Sequence, residues 1–140
     1  MAAPPRLTMV RAERRRISSG GPYEARYGYS RAIVVGNACW VSGTTDAGPD
    51  GRSLHPNDPG GQARAILEII ERALHEAGFA RQDIVRVRIF TTRMARNQAI
   101  LEAMGERFAG IRPAATIVEI KSLIEPSLLV EIEADAVRDP

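Results

Sequence analysis

Two sets of charged residues recur at alternate positions in this chain: Glu131, Glu133 and Asp135 near the C-terminus, and Arg86 and Arg88 upstream. Alternation places each set on one face of a strand. A carboxylate on a sheet face either pairs with a guanidinium across strands or, left unpaired, can move a proton or orient water. For Glu131 the spacing alone leaves both readings open: a general acid or base, or one member of an acidic face paired with Arg86 or Arg88. Other reactive groups offer less. His55 and His75 have no ligand spacing between them or toward acids, so no metal is expected. Ser42 precedes Gly43 with no local base to activate it, and a backbone-shaping role is expected. Cys39 is the only cysteine, which excludes an internal disulfide and a thiolate cluster. Its run, Ala38-Cys39-Trp40-Val41, predicts a buried, inert thiol. No phosphate loop, nucleophile elbow or dinucleotide fingerprint is present, so no cofactor is expected.

The elements that must position these groups follow from periodicity. With 140 residues, 44% of them hydrophobic and 26% charged, the chain predicts one domain over 13–140 behind a loose arm at 1–12. Tyr23, Tyr27 and Tyr29 crowd the segment after a Gly-rich stretch. Ala32-Ile33-Val34-Val35 and Ala38 to Gly43 flank Gly36-Asn37, a hairpin signal. Thr44 to Gly61 reads as a long surface loop. From Gln62, the residues Ala63, Ile66, Leu67, Ile70, Ala73, Leu74 and Ala77 fall at helical spacing. Glu68 and Arg72 make a spacing-of-four pair, and Gly78 is the stop. Ile84 to Thr92 alternates as a strand, with Val85, Val87 and Ile89 on one face. A second helix spans about Ala95 to Phe108 with Ile100, Leu101, Met104 and Phe108 as its stripe. Two strands close the chain, the last with Val130, Ile132, Ala134 and Ala136 toward the core. Two or three strands, helix, strand, helix and two strands predict an α+β fold, a mixed sheet of up to six strands with two helices packed on one face. The other sheet face is polar, either wet or sealed by other subunits.

Composition narrows the partners. Lys+Arg number 19 against 17 Asp+Glu, and Lys121 is the only lysine. The run Arg14-Arg15-Arg16 could meet phosphate or belong to a solvated edge strand. No aromatic residues interleave with it, which disfavours nucleic-acid binding. No membrane-length apolar run or signal-like start is present, so a cytoplasmic location is expected.

Several segments, in order, resemble the reactive intermediate deaminase (RidA/YjgF) family over roughly residues 14 to 138. They are Gly28-Tyr29-Ser30-Arg31-Ala32, Val41-Ser42-Gly43, Gln62-Ala63-Arg64 and Val87-Arg88-Ile89-Phe90. The closing pair, Pro113-Ala114 with Val118-Glu119-Ile120 and then Val130-Glu131-Ile132-Glu133-Ala134, resembles that family's last two strands. The resemblance implies a chorismate-mutase-like fold and a homotrimer with small-molecule clefts between subunits. It also implies hydrolysis of imines or enamines of small acids. By the same resemblance Glu131 and Tyr29 are the catalytic candidates. Ser42, Gly43, Phe90, Ala115 and Ile117 line the substrate.

The departures carry as much. In the family an arginine that clamps the substrate carboxylate stands where this chain has Ala115. Ile117 stands at a position often held by cysteine, and Leu101 where asparagine is common. Losing a charge-assisted arginine–carboxylate contact removes about 1.5–3 kcal/mol, one to two orders of magnitude in affinity. Weak or absent activity on 2-imino acids is therefore expected, with a ligand less acidic or more apolar. An apolar cleft should also raise the Glu131 pKa. Arg31 and Arg112 are the arginines that could replace the missing one, with a solvent-facing role expected for Arg31. A non-catalytic ligand-binding or regulatory protein on the same scaffold is the alternative function.

Overall fold

Runs of β-branched and small residues become six strands in the computed structural model, which describes residues 1–6, 11 and 13–140. They are β1 (Arg14–Ile17), β2 (Ala32–Val35), β3 (Ala38–Thr44), β4 (Ile84–Thr91), β5 (Ala114–Glu119) and β6 (Val130–Val137). Three helices join them: α1 (Pro22–Tyr27), α2 (Pro59–Glu76) and α3 (Asn97–Phe108). The arm expected over 1–12 lies in part outside the described residues; residues 1–6 are exposed and form no helix or strand.

The strands form one sheet in the order β1-β2-β3-β6-β4-β5. Only β4 and β5 run parallel, joined through α3, and the other pairs are antiparallel. The fold is the expected α+β arrangement. Ile66, Leu67, Ile70 and Leu74 of α2 and Ile100, Met104 and Phe108 of α3 are buried with Val87, Ile89, Ile132 and Ala134 of the sheet. Removing such side chains from water, at about 25 cal/mol per Å² of apolar area, holds helices and sheet together.

The start of α2 shows why it begins before the apolar stripe. Pro59 occupies the first turn, and the Asp58 side chain accepts the Gly61 N–H at 2.9 Å. Behind its end, Gly78 takes φ +85°, the left-handed turn that favours glycine. Gln62 is fully buried. Its amide donates to the carbonyls of His55 (3.1 Å) and Ser127 (2.9 Å) and accepts the Leu129 N–H (2.8 Å). The long loop and the entry to β6 are both tied to α2 by this one side chain.

Four local readings change. Val85 is exposed and Ile84 takes its place in the core, because a register shift between Ile84 and Arg86 inserts an extra residue opposite β6. Leu101 is exposed on α3 while Ala103 is buried. Glu68 pairs with Arg107 of α3 (3.2 Å) rather than with Arg72. The tyrosine-rich segment, not read as helical, forms α1, with Pro22 in its first turn and Gly28 at its C-cap.

Parity then sorts the polar face. Arg16, Ile33 and Trp40 lie away from the helices, as do Glu131, Glu133 and Asp135 and their β4 neighbours Arg88 and Phe90. Arg15 turns the other way and donates to the Ala77 carbonyl at 2.7 Å. The arginine run is thus an edge strand whose side chains divide between two faces.

Candidate functional site

The site forms where β3 loses its regular register. Val41 pairs with Ala134 but Thr44 pairs with Ile132, so Ser42-Gly43 carries an extra residue, a β-bulge. The chain before β2 pins it. Ser42 donates its N–H to the Arg31 carbonyl (3.0 Å) and its hydroxyl to the Ser30 carbonyl (2.6 Å). The hydroxyl is therefore committed to backbone, in keeping with a shaping role.

Gly43 is required by a close approach. A Cβ there would stand 2.5 Å from Glu131 Oε1 and 2.9 Å from its Cδ. The Glu131 carboxyl thus lies flat against the Gly43 backbone. Arg31 Nη2 donates to the Gly43 carbonyl at 2.6 Å. Phe90 is the cross-strand partner of Glu131 on β4. Tyr29, Ser30 and Ser42 border a shallow concavity of about 520 Å³ with Arg16, Trp40 and Glu133. Glu131, Gly43 and Phe90 thus adjoin one another at one corner of the open sheet face, and Tyr29 and Ser42 line the neighbouring concavity, whose wall does not include Glu131.

Ala115 and Ile117 are elsewhere. They pair with Val87 and Ile89, whose side chains enter the core, so both lie on the helix side of the edge strand β5. Ala115 is exposed and Ile117 packs partly against the core. Within one chain they do not meet Glu131.

The cross-strand charges also resolve. Arg88 pairs with Glu133 (3.4 Å) and Asp135 (3.2 Å), and Arg86 donates to Thr116 Oγ1 (3.0 Å). Neither arginine takes Glu131. Burial pushes the Glu131 carboxyl above its usual range; Arg31 opposes that rise and Glu133 adds to it. The direction is the one expected, but its cause is burial within its own chain beside Glu133, since Ala115 and Ile117 line the opposite face. Arg31, which spacing left facing solvent, is half-buried, and its Nε is buried without a hydrogen-bond partner. Arg112 sits at φ +54° just before β5, far from this corner in the sheet order.

A carboxyl raised in this way binds its proton more tightly folded than unfolded. Its ionisation therefore opposes folding fully above the folded pKa, and that cost fades as pH falls toward the unfolded value. Glu131→Gln is expected to be more stable than the native chain at neutral pH. The gain should shrink toward pH 4, as followed by denaturant unfolding across pH; a pH-independent difference would contradict the sign.

The remaining reactive groups have structural partners. Burial pushes the Cys39 thiol up to about 11, leaving it un-ionised at neutral pH. His55 Nδ1 lies 3.1 Å from Asp46 Oδ2, which also accepts from the Ser53 hydroxyl (2.7 Å) and the His55 N–H (3.0 Å). These bonds tie down the loop after β3. His75 lies on the outer side of α2 in a groove with Glu68, Glu71 and Arg72. No helix among the described residues is long and apolar enough to cross a membrane.

Comparison with known proteins agrees with this fold. Residues 22–138 match the family model described as Endoribonuclease L-PSP. The chain is 41% identical to Rv2704 of Mycobacterium tuberculosis, a member of the YjgF/YER057c/UK114 family. The TM-score is 0.82, covering 90% of this chain and 100% of that one. YyfA of Yersinia pestis, from the Rid protein family, is 30% identical with a TM-score of 0.79, covering 90% and 100%. A RutC family protein of Pyrococcus horikoshii is 31% identical over 111 residues, 79% of this chain and 87% of that protein.

Proposed function

Because this chain belongs to the Endoribonuclease L-PSP (YjgF/RidA) family, we propose that it binds a small organic molecule in clefts between the subunits of a homotrimer. In each cleft Glu131 and Tyr29 handle protons or orient water, and Ser42, Gly43 and Phe90 shape the floor. Ala115 and Ile117 of the adjoining subunit form the opposite wall. Imines or enamines are the substrate class, with hydrolysis of small 2-imino acids weak because no arginine stands at 115.

One observation carries this reading. Glu131 lies on the open face of the sheet, while Ala115 and Ile117 lie on the helix side of its last strand. A single chain cannot bring these residues into one cleft; a second copy placing its β5 edge over the Glu131 corner can. The open face is suited to such contact: it carries the exposed apolar residues Trp40, Val118 and Val137 between its ion pairs. Native mass spectrometry and a structure of the purified assembly test this. A trimer with β5 of one subunit facing Glu131 of the next is expected. A monomer, or an interface leaving Glu131 away from β5, would overturn it.

The apolar pair Ala115 and Ile117 also favours a second reading, a non-catalytic ligand-binding or regulatory protein on the same scaffold. A Glu131→Ala variant that keeps full ligand affinity and biological phenotype would select that reading.

A further inference from the structure

Arg31 and Glu131 both meet Gly43. The guanidinium holds the Gly43 carbonyl at 2.6 Å, and the carboxyl occupies the space of the absent Cβ. Arg31 spends one donor on that carbonyl, and its Nε is buried without a partner. It makes no ion pair within 4.0 Å among the described residues.

The neighbouring charges have other commitments. Glu24, on α1, accepts the Ser19 N–H at 3.2 Å and the Ser19 hydroxyl. On β6 and β4, Glu133 and Asp135 are held by Arg88. Tyr29, half-exposed, lies close enough for its charge to act on the guanidinium, and β3 contributes Trp40, Val41 and Ser42 to the concavity and the Gly43 carbonyl to Arg31. Arg16 of β1 borders the same concavity, but among the described residues Arg31 is the cation whose charge acts on Glu131.

We propose that Arg31 is the positioning residue of this site: through the Gly43 carbonyl it fixes the bulge on which the Glu131 carboxyl rests, and it sets a positive charge facing that carboxyl. The fixed cation of the cleft then stands at the entry to β2, on the side of Glu131, instead of on β5. Half-buried, the guanidinium is poorly screened, so its charge acts on Glu131 more strongly than a surface arginine would. Arg31 favours the ionised carboxyl against the burial and the Glu133 charge that oppose it. The inference rests on Glu131 being the proton-handling group of the proposed function, but its test requires neither substrate nor turnover.

The test is a carboxyl-carbon NMR titration of Glu131 in the full chain, comparing native protein with Arg31→Gln and Arg31→Lys. Glutamine keeps a donor for the Gly43 carbonyl and removes the charge; lysine keeps the charge. The Glu131 midpoint is expected to rise in Arg31→Gln and to stay near native in Arg31→Lys. In native protein the Arg31 side-chain nitrogen resonances should move with the same midpoint as the Glu131 carboxyl, a readout that holds even if the glutamine variant fails to fold. An unchanged midpoint in folded Arg31→Gln would reduce Arg31 to a backbone tether and overturn the proposal. Arg31 nitrogen resonances indifferent to Glu131 ionisation would do the same. A shifted midpoint in a protein with no deaminase activity would leave Arg31 in this role while failing the enzymatic reading.

Discussion

Replacing Gln62 with leucine is expected to cost about 3–5 kcal/mol of folding stability. The side chain is fully buried and every strong bond it makes runs to backbone. It donates to the His55 and Ser127 carbonyls and accepts the Leu129 N–H. Leucine fills a similar volume but leaves those three groups without a partner, at about 1–3 kcal/mol for each that water cannot reach. The damage should be local as well as global. His55 closes the long loop before α2, and Leu129 leads directly into β6, the strand that carries Glu131. Chemical denaturation should show the loss, and amide exchange should quicken first at Leu129 and around His55. A loss under about 1 kcal/mol would mean that water replaces the amide and that this tether is not what holds β6 to α2.

Ala115→Arg is expected to raise kcat/KM on small 2-imino acids by about 10- to 100-fold. The position is exposed on an edge strand, so the longer side chain meets no packed core. A guanidinium there can take a substrate carboxylate in two parallel bonds, which an ammonium cannot, so Ala115→Lys should recover less. The gain should vanish when Glu131→Gln is added, since the clamp binds but does not move protons. Equal gains from lysine and arginine would point to charge steering rather than a built contact. No gain from either would separate Ala115 from the Glu131 corner altogether.

What the sequence made legible was periodic or local. The α2 stripe from Ala63 to Leu74 and the Gly36-Asn37 hairpin are patterns of a few residues, and both appear as read. So does the alternation of β6, where Val130 to Ala136 enter the core and the carboxylates face away. Val85 was misplaced because one bulged residue reverses the parity of its neighbours, and nothing in Ile84-Val85-Arg86 marks a bulge. The six residues of α1 are too few for a helical period to emerge. Leu101 fitted the stripe of α3 by spacing, yet Ala103 packs inward, since two apolar faces competed on one short helix.

The site was legible only through resemblance. Glu131 does meet Gly43 and Phe90, with Ser42 beside Gly43 in the bulge, although no spacing rule brings together residues so far apart in sequence. Arg31 was read as a candidate to replace the missing arginine but expected to face solvent, because burial is a property of the fold. Two residues beyond Tyr29 it looked like a surface charge, and only the bulge at Ser42-Gly43 draws it inward. Gln62 escaped for the same reason, since its partners Ser127 and Leu129 lie 65 and 67 positions away. The face of β6 was read correctly, but the opposition of Ala115 and Ile117 to Glu131 across the sheet requires the strand order and pairing.

The most direct test of the central claim is the turnover of a freshly generated small 2-imino acid by the native protein, measured as release of 2-keto acid and ammonia beside Ala115→Arg. Slow native turnover, raised at least about tenfold by the arginine, is the predicted result. Brisk native turnover that Ala115→Arg leaves unchanged would contradict the claim that residue 115 limits this site.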